Sequence, residues 1–267
     1  MENYLSNFEN KMSNKFEMYG YIISKNNNNL LLKEIEKIIF PLLKKKIKLN
    51  KKISFDYILN KIHLFIHKKD LNKLRLEIFN KINKSKKIRK LYYETSKNLL
   101  EIIAGNELVM QNRINLSIQF PQDDSSLLAL HSDTWSGDSP YEVVVWLPLV
   151  NTYRSKSMFI LKPSKYKNFE SKFKKHSKKN IGLIYNKIKK DLVWVKVKKG
   201  EFLLFNQNLP HGNDVNLEKD TRWSLNCRFK NIFAPYGDKK IGEFFSPITL
   251  RKVSEMGMSY KLPKIKK

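Results

Sequence analysis

Cysteine is nearly absent: Cys227 stands alone in 267 residues. No disulfide can therefore close within the chain, and no cysteine-based zinc site can form. Any bound metal must take histidine and carboxylate ligands, and histidine is itself scarce, with five in all. No stretch approaches the ~20 apolar residues of a membrane-spanning helix. The opening MENYLSNFENKMSN has no apolar run behind a basic start, so export is not expected and a reducing cytoplasm is. Acidic residues are also short, with 25 Asp and Glu against 52 Lys and Arg, a formal charge of +27. Such an excess can be the footprint of a nucleic-acid binder. Here the lysines run along the whole chain among abundant Asn and Ile, which reads as compositional bias. Nucleic acid is therefore not the expected partner, and a polyanionic or membrane-surface partner is the alternative that the charge leaves open.

Residues 1–105 read as helices packing on a core. Leu31, Ile35, Ile38, Ile39 and Leu42 fall at helical spacing, with Pro41 expected to kink or break the segment. Ser54 can cap a second helix carrying Ile58, Ile62 and Phe65. Asp70 can cap a third carrying Leu71, Leu74, Ile78 and Ile82. In the fourth, Ile88, Leu91, Leu99, Ile102 and Ile103 share a face that Gly105 and Asn106 terminate. The four consecutive Asn at 26–29 read as a loop.

Over 106–250 the pattern changes to short β-rich runs at 108–120, 142–150, 157–161, 192–197, 201–205 and 222–230. Their spacing suggests an antiparallel sandwich or barrel. A Lys-rich, partly helical insertion is expected at 162–190, and 251–267 is a basic tail.

In LHSDTW, His131 and Asp133 lie two residues apart, so on extended backbone both project from one face and can bind one metal. LPHGN supplies a third ligand, His211, a short loop after the strand EFLLF. Two His and one carboxylate on one face of an octahedral iron leave three positions open, room for 2-oxoglutarate to chelate and O2 to bind. His63 and His67, at i, i+4 spacing, read as an ordinary helix face, and His176 as a solvated residue of the insertion. In TRWS, Arg222 and Ser224 point the same way on a strand, a forked cation and a hydroxyl suited to the far carboxylate of 2-oxoglutarate.

The runs HSDTWSGDSPYEVVVWLPLVN, GEFLLFNQNLPHG and TRWSLNCRF resemble the phytanoyl-CoA-hydroxylase-like branch of the Fe(II)/2-oxoglutarate-dependent oxygenases. Within it they are similar to the oxygenases of sporadic bacterial carbohydrate clusters and to streptomycin-biosynthesis relatives, over about residues 106–235. The resemblance implies a mainly β fold, a double-stranded β-helix (jelly-roll, cupin-like) core with an α-helical N-terminal extension. It implies iron ligands at His131, Asp133 and His211, and a grip by Arg222 and Ser224 on 2-oxoglutarate. Trp146, in a W-x-P-L-like strand, would line the cosubstrate pocket, with core packing as its plain alternative. The proline-glycine-serine-histidine turn usual in relatives is replaced by Leu161-Lys162-Pro163-Ser164, which alters the rim of the pocket.

Hydroxylation or oxidation of a C–H bond is the expected reaction, since loss of the Asp133 carboxylate would be needed to open a halide position. The resemblance points to a carbohydrate, a sugar or sugar-bearing intermediate, as substrate. Trp135 could stack on a sugar face and Arg228 could hold an anionic group, with core packing and a solvated strand end as the respective alternatives. Two rivals are a nucleic-acid-modifying oxygenase, which would place aromatics and cations around a base-accepting pocket, and a non-catalytic sugar-binding module, which would need no complete triad.

Overall fold

The computed structural model describes residues 4–26, 29–48, 53–176 and 181–263, without the side chains of 172–176, 181 and 183. Asn27, Asn28, the side chain of His176 and the end of the basic tail, Lys264–Lys267, thus lie outside the described residues.

Most helices form where the apolar spacing places them, but the one expected to carry Ile58, Ile62 and Phe65 ends at Lys61, with Ile62 in a 3-10 turn and Phe65 just past it. Helix α1 (Asn7–Tyr19) starts with a capping box between Ser6 and Glu9. Helix α2 (Leu30–Ile47) buries Leu31, Ile35, Ile39 and Leu42, and it runs on through Pro41. Pro41 is exposed, so the carbonyl it deprives of a donor can be satisfied by water, and the expected break does not occur. Ser54 caps α3 (Phe55–Lys61), its hydroxyl accepting from Tyr57 N. Asp70 occupies the cap position of α4 (Leu71–Lys84), but its side chain makes no capping bond because a 3-10 turn over Lys68–Asp70 already leads into the helix. Helix α5 (Lys86–Ala104) is capped by Ser85 and ends at Gly105, whose φ of 91° suits a residue without a Cβ.

One departure lies inside the N-terminal region. Tyr21–Lys25 is a strand, β1, pairing antiparallel with β7 (Glu201–Asn206) from Tyr21↔Phe205 to Lys25↔Glu201. Five residues are too few for a periodicity, and what fixes them is the open edge of β7.

Strands β2 (Leu108–Gln111), β3 (Asn115–Gln119), β4 (Val143–Pro148) and β9 (Arg222–Asn231) complete the main sheet with β10 (Phe245–Thr249), in the order β1-β7-β4-β9-β2-β10. The ten-residue β9 is its spine: one edge pairs with β4, and the other pairs with β3 along its first half and β2 along its second. A smaller sheet, β6 (Leu192–Trp194), β5 (Phe159–Leu161) and β8 (His211–Gly212), lies opposite and is extended by a bridge between His131 and His211. The insertion folds as α6 (Pro163–His176) and α7 (Ile181–Ile188), and α8 (Lys252–Ser259) follows β10.

Alternation along the strands divides the interior. Val143, Val145, Leu147, Phe202, Leu204, Trp223, Leu225, Cys227 and Phe229 join the residues of α2–α5 in one apolar core. Tyr92 of α5 donates its hydroxyl to Val145 O, and Trp223 Nε1 donates to Leu59 O, so the helices are hydrogen-bonded onto the sheet as well as packed on it. The intervening residues Val144, Trp146, Leu203 and Phe205 face the small sheet, packing with Met158, Ile160, Val195 and Val197. The result is a mainly β double-stranded β-helix with its helical layer on one face. No helix of the described residues is long and apolar enough to cross a membrane.

Candidate active site

The pocket opens between the two sheets, with a volume of about 290 Å³. Its wall follows from the period-two rule: Arg222, Ser224, Asn226 and Arg228 of β9 line it, with Asn115 and Ser117 of β3 and Val144 and Trp146 of β4. Asn115, Ser117 and Asn226 escaped the sequence reading. Parity exposes them, because each alternates with a buried apolar neighbour such as Leu116, Ile118 or Leu225.

His131, Asp133 and His211 meet at one side, each with a potential ligand atom within 4.8 Å of the others. Among the described residues this is the only group of three or more His, Cys, Asp or Glu side chains so disposed. The backbones of His131 and His211 exchange hydrogen bonds of 3.0 and 2.8 Å, which fixes the rings 4.4 Å apart. Ser132, between the ligand candidates, donates its hydroxyl to the Asn208 carbonyl, pinning the segment to the loop after β7. Both histidines turn Nδ1 toward a carbonyl, His131 toward Ala129 O at 2.7 Å and His211 toward Leu209 O at 2.8 Å. A carbonyl only accepts, so each Nδ1 carries the proton and each Nε2 keeps its lone pair, the arrangement that orients an imidazole for a metal. Burial, reinforced by neighbouring His131, brings His211 down to about 4, so the ring is neutral at pH 7. For Asp133, burial alone would raise the carboxyl, but His211, Arg228 and His131 outweigh it and the pKa lies below its ordinary value. The carboxylate is ionised.

Arg228 does not do what its position suggested. Its Nη2 lies 3.0 Å from Asp133 Oδ2 and 3.4 Å from Asp138 Oδ2, and its Nε donates to Gln207 Oε1 at 2.9 Å. The guanidinium is spent within the protein, so no unpaired charge remains there for a substrate anion. It holds the far oxygen of Asp133 and leaves Oδ1 turned toward His131, 3.6 Å from its Nε2. Nothing in the strand pattern shows this, because Asp138 and Gln207 come from two loops. Trp135 is likewise outside the pocket wall, stacked on Phe169 of α6 with ring centroids 5.9 Å apart. It anchors the insertion, and its expected stacking on a sugar face is not supported. His63 bonds Thr221 Oγ1 at 2.8 Å and, among the described residues, belongs to no group of three potential ligands.

Arg222 and Ser224 lie together in the same pocket, and Trp146 lines it, 5 % exposed. Arg222 Nη1 donates to Ser157 O and Nη2 to Ser117 Oγ, both at 3.1 Å, while Nε has no partner. Ser224 Oγ is also buried without a partner. Burial, with a smaller push from Arg75, lowers the guanidinium from 12.5 to about 10. Among the described residues no carboxylate lies within ion-pair distance of it. A buried cation with an orphaned donor beside an orphaned hydroxyl is an incomplete anion site.

No protein-family model matches the sequence, and no curated protein does either. Solved structures do. A non-heme monooxygenase, ThoJ, as its nickel complex, is 14 % identical, with 91 % of this chain and 85 % of that chain covered at a TM-score of 0.54. SnoK, a non-heme α-ketoglutarate-dependent carbocyclase from nogalamycin biosynthesis, is 12 % identical over 92 % and 97 %, at 0.54. HygX from Streptomyces hygroscopicus, solved with nickel and 2-oxoglutarate bound, is 11 % identical over 89 % and 90 %, at 0.51. The likeness is one of fold. At such identities the double-stranded β-helix with its helical layer is shared, and the chemistry must be argued from the side chains above.

Proposed function

We propose that the chain is an Fe(II)- and 2-oxoglutarate-dependent oxygenase that hydroxylates or oxidises a C–H bond of a small, uncharged, hydroxyl-bearing molecule, a sugar or sugar-bearing intermediate. The observation that carries the reading is the coincidence, in one pocket, of the His131/Asp133/His211 triad and the unsatisfied Arg222–Ser224 pair. Either alone is weak; together they provide a metal position and an anion position for one bidentate cosubstrate. The donor set is hard and nitrogen–oxygen, as ferrous iron prefers, and it occupies only part of an octahedron.

His131, Asp133 and His211 would hold the iron, and Arg222 with Ser224 would hold the far carboxylate of 2-oxoglutarate, satisfying the orphaned Nε and Oγ. Bound there, iron would activate O2, the oxidant, with 2-oxoglutarate giving up two electrons as it becomes succinate and CO2 and the substrate C–H bond giving up the other two. The protein's share is positional. The Nδ1 protons held by Ala129 and Leu209 fix the imidazole planes, and Arg228 fixes the carboxylate of Asp133. The apolar wall of Val144, Trp146, Met158 and Phe205 excludes water from the reacting centre.

The substrate class follows from what remains. With Arg228 neutralised, the wall offers no charge: Asn115 donates to Asn226 Oδ1 at 2.9 Å, which leaves the neutral Asn226 amide N–H groups for a ligand. Such a wall suits hydroxyls better than phosphates. The test is substrate-dependent succinate formation, requiring Fe(II) and O2, across free sugars, nucleotide sugars, nucleosides and oligonucleotides. Turnover with an uncharged sugar-bearing compound is expected, and turnover confined to nucleotide sugars would overturn the uncharged class. Turnover confined to oligonucleotides would replace the substrate class with the nucleic-acid rival, and 2-oxoglutarate binding without any turnover on purified iron enzyme would favour a binding module.

A further inference from the structure

Strand β9 sets four side chains in a row along the pocket wall: Arg222, Ser224, Asn226 and Arg228. The first two form the anion grip, and the fourth holds Asp133. Asn226 stands between them. A side-chain amide can turn either its oxygen or its N–H groups to a ligand, and which end faces the pocket decides what it binds. A chain of hydrogen bonds settles that here, and it starts at a backbone group that can only donate: Arg228 N donates to Gln111 Oε1 at 3.2 Å. Gln111, 4 % exposed at the end of β2, therefore turns Nε2 onward and donates to Asn115 Oδ1 at 3.4 Å. Asn115, which faces Asn226 in the β3–β9 register, in turn donates through Nδ2 to Asn226 Oδ1 at 2.9 Å. Reversing any one of the three amides would set oxygen against oxygen or N–H against N–H. With its oxygen committed to Asn115, Asn226 offers the half-buried pocket two N–H groups, for which the described residues supply no acceptor.

The order along the strand says which ligand atoms those groups meet. Residues two apart on a strand stand about 6.5 Å apart, so Asn226 lies one such step from Ser224 in the direction of Arg228 and, through it, of Asp133. A five-carbon dicarboxylate held at its far end by Arg222 and Ser224 spans a similar distance, which brings its keto-acid end level with Asn226. That end carries a negative charge and only acceptor oxygens, and an aimed amide N–H is the complementary group. We propose that Asn226 is a further cosubstrate-binding residue, donating one N–H to the keto-acid end of 2-oxoglutarate, and that Gln111 and Asn115 are positioning residues that aim it. Its second N–H remains for the substrate. The inference rests on the reading of the chain as a 2-oxoglutarate-dependent enzyme.

The experiment is calorimetric titration of 2-oxoglutarate into the full-length, nickel-loaded protein, with nickel titrations and melting curves of each variant in parallel. Asn226→Leu is expected to lose at least about tenfold in 2-oxoglutarate affinity, as for a hydrogen bond to a charged group. Asn226→Asp keeps the acceptor that Asn115 needs and replaces only the N–H groups, so a loss at least as large there separates the missing donor from a broken relay. Asn115→Leu should lose less, about two- to fivefold, because the amide at 226 can then turn either end to the pocket. In Arg222→Met/Asn226→Leu the two single losses should multiply, since the contacts lie at opposite ends of the ligand. Nickel affinity and ligand-free melting temperature should hold in both Asn226 variants. Wild type that binds no 2-oxoglutarate would sink the underlying reading and this inference with it. Binding lost in Arg222→Met but at wild-type strength in Asn226→Leu and Asn226→Asp would overturn this inference alone, as would wild-type affinity in Asn115→Leu or a double variant no weaker than Arg222→Met. Nickel affinity or ligand-free stability falling in step with 2-oxoglutarate binding would make Asn226 structural and overturn it too.

Discussion

Replacing Arg222 with methionine removes the buried guanidinium while keeping a flexible apolar side chain in its place. Burial lowers the guanidinium from 12.5 to about 10. A depressed pKa on a cation means that the folded state binds that proton less well than the unfolded state. The charged group therefore costs the fold roughly 3 kcal/mol at every pH below about 10, a cost that fades between about 10 and 12.5. Against this, the variant strips Ser157 O and Ser117 Oγ of their donor, about 1 to 3 kcal/mol each where nothing replaces it. The two effects oppose each other, and the ligand-free variant should lie between about 1 kcal/mol more stable and about 3 kcal/mol less stable than wild type. Ligand binding behaves differently. Losing a charge-assisted contact to a carboxylate removes about 1.5 to 3 kcal/mol, roughly 10- to 150-fold in 2-oxoglutarate affinity. The assay is calorimetric titration of 2-oxoglutarate into protein loaded with nickel to prevent turnover, with melting curves in parallel. Wild type should gain thermal stability with ligand and Arg222→Met should not at the same concentration. Arg222→Lys, which restores charge without the planar fork, should recover only part of the affinity. A folded Arg222→Met protein that binds 2-oxoglutarate as tightly as wild type would refute the reasoning.

Three further outcomes follow from the packing. Lys156 is buried, donating to Asn60 Oδ1 at 2.8 Å, and burial lowers it from 10.5 to about 8; the unfolded chain therefore binds its proton more tightly, and wild type should gain on Lys156→Met by at most about 3 kcal/mol as pH rises from 8 to 10.5, with no change in the difference below that window, read by urea denaturation. At Gly212 an added Cβ would lie 2.6 Å from Leu128 O and 2.8 Å from the Phe159 ring, so Gly212→Ala should displace the His131–His211 bridge, destabilise the protein by roughly 1 to 3 kcal/mol and weaken metal binding; a stable variant with normal metal affinity would show that the bridge does not set the site. Pro41→Ala should stabilise the exposed middle of α2, by up to about 3 kcal/mol less the entropy that proline removes from the unfolded chain, and a lower melting temperature would mean that Pro41 shapes the helix in a way the buried spacing of its neighbours does not require.

The features legible in the sequence are those that rest on local periodicity. The helical layer, the six β-rich runs and the projection of Arg222 and Ser224 from one side of β9 all follow from spacings of 3.6 or 2. So does the pairing of His131 with Asp133, since nothing but backbone geometry is needed to bring neighbours two apart together. What escaped depends on partners distant in sequence. Strand β1 exists because β7 offers an edge, and β8 is two residues held by β5 and His131. Arg228 reads as a free cation until Asp133, Asp138 and Gln207 converge on it from two loops. Trp135 reads as an available ring until α6 folds Phe169 onto it.

Anaerobic titration of Fe(II) into the wild-type chain, Asp133→Ala, His211→Ala and a distant control, His67→Ala, tests the central claim most directly. The account predicts one Fe(II) per chain for wild type and for His67→Ala, and binding weakened by at least about 100-fold in Asp133→Ala and His211→Ala, because each leaves two of three ligands. Wild-type iron affinity in folded Asp133→Ala and His211→Ala proteins would contradict it.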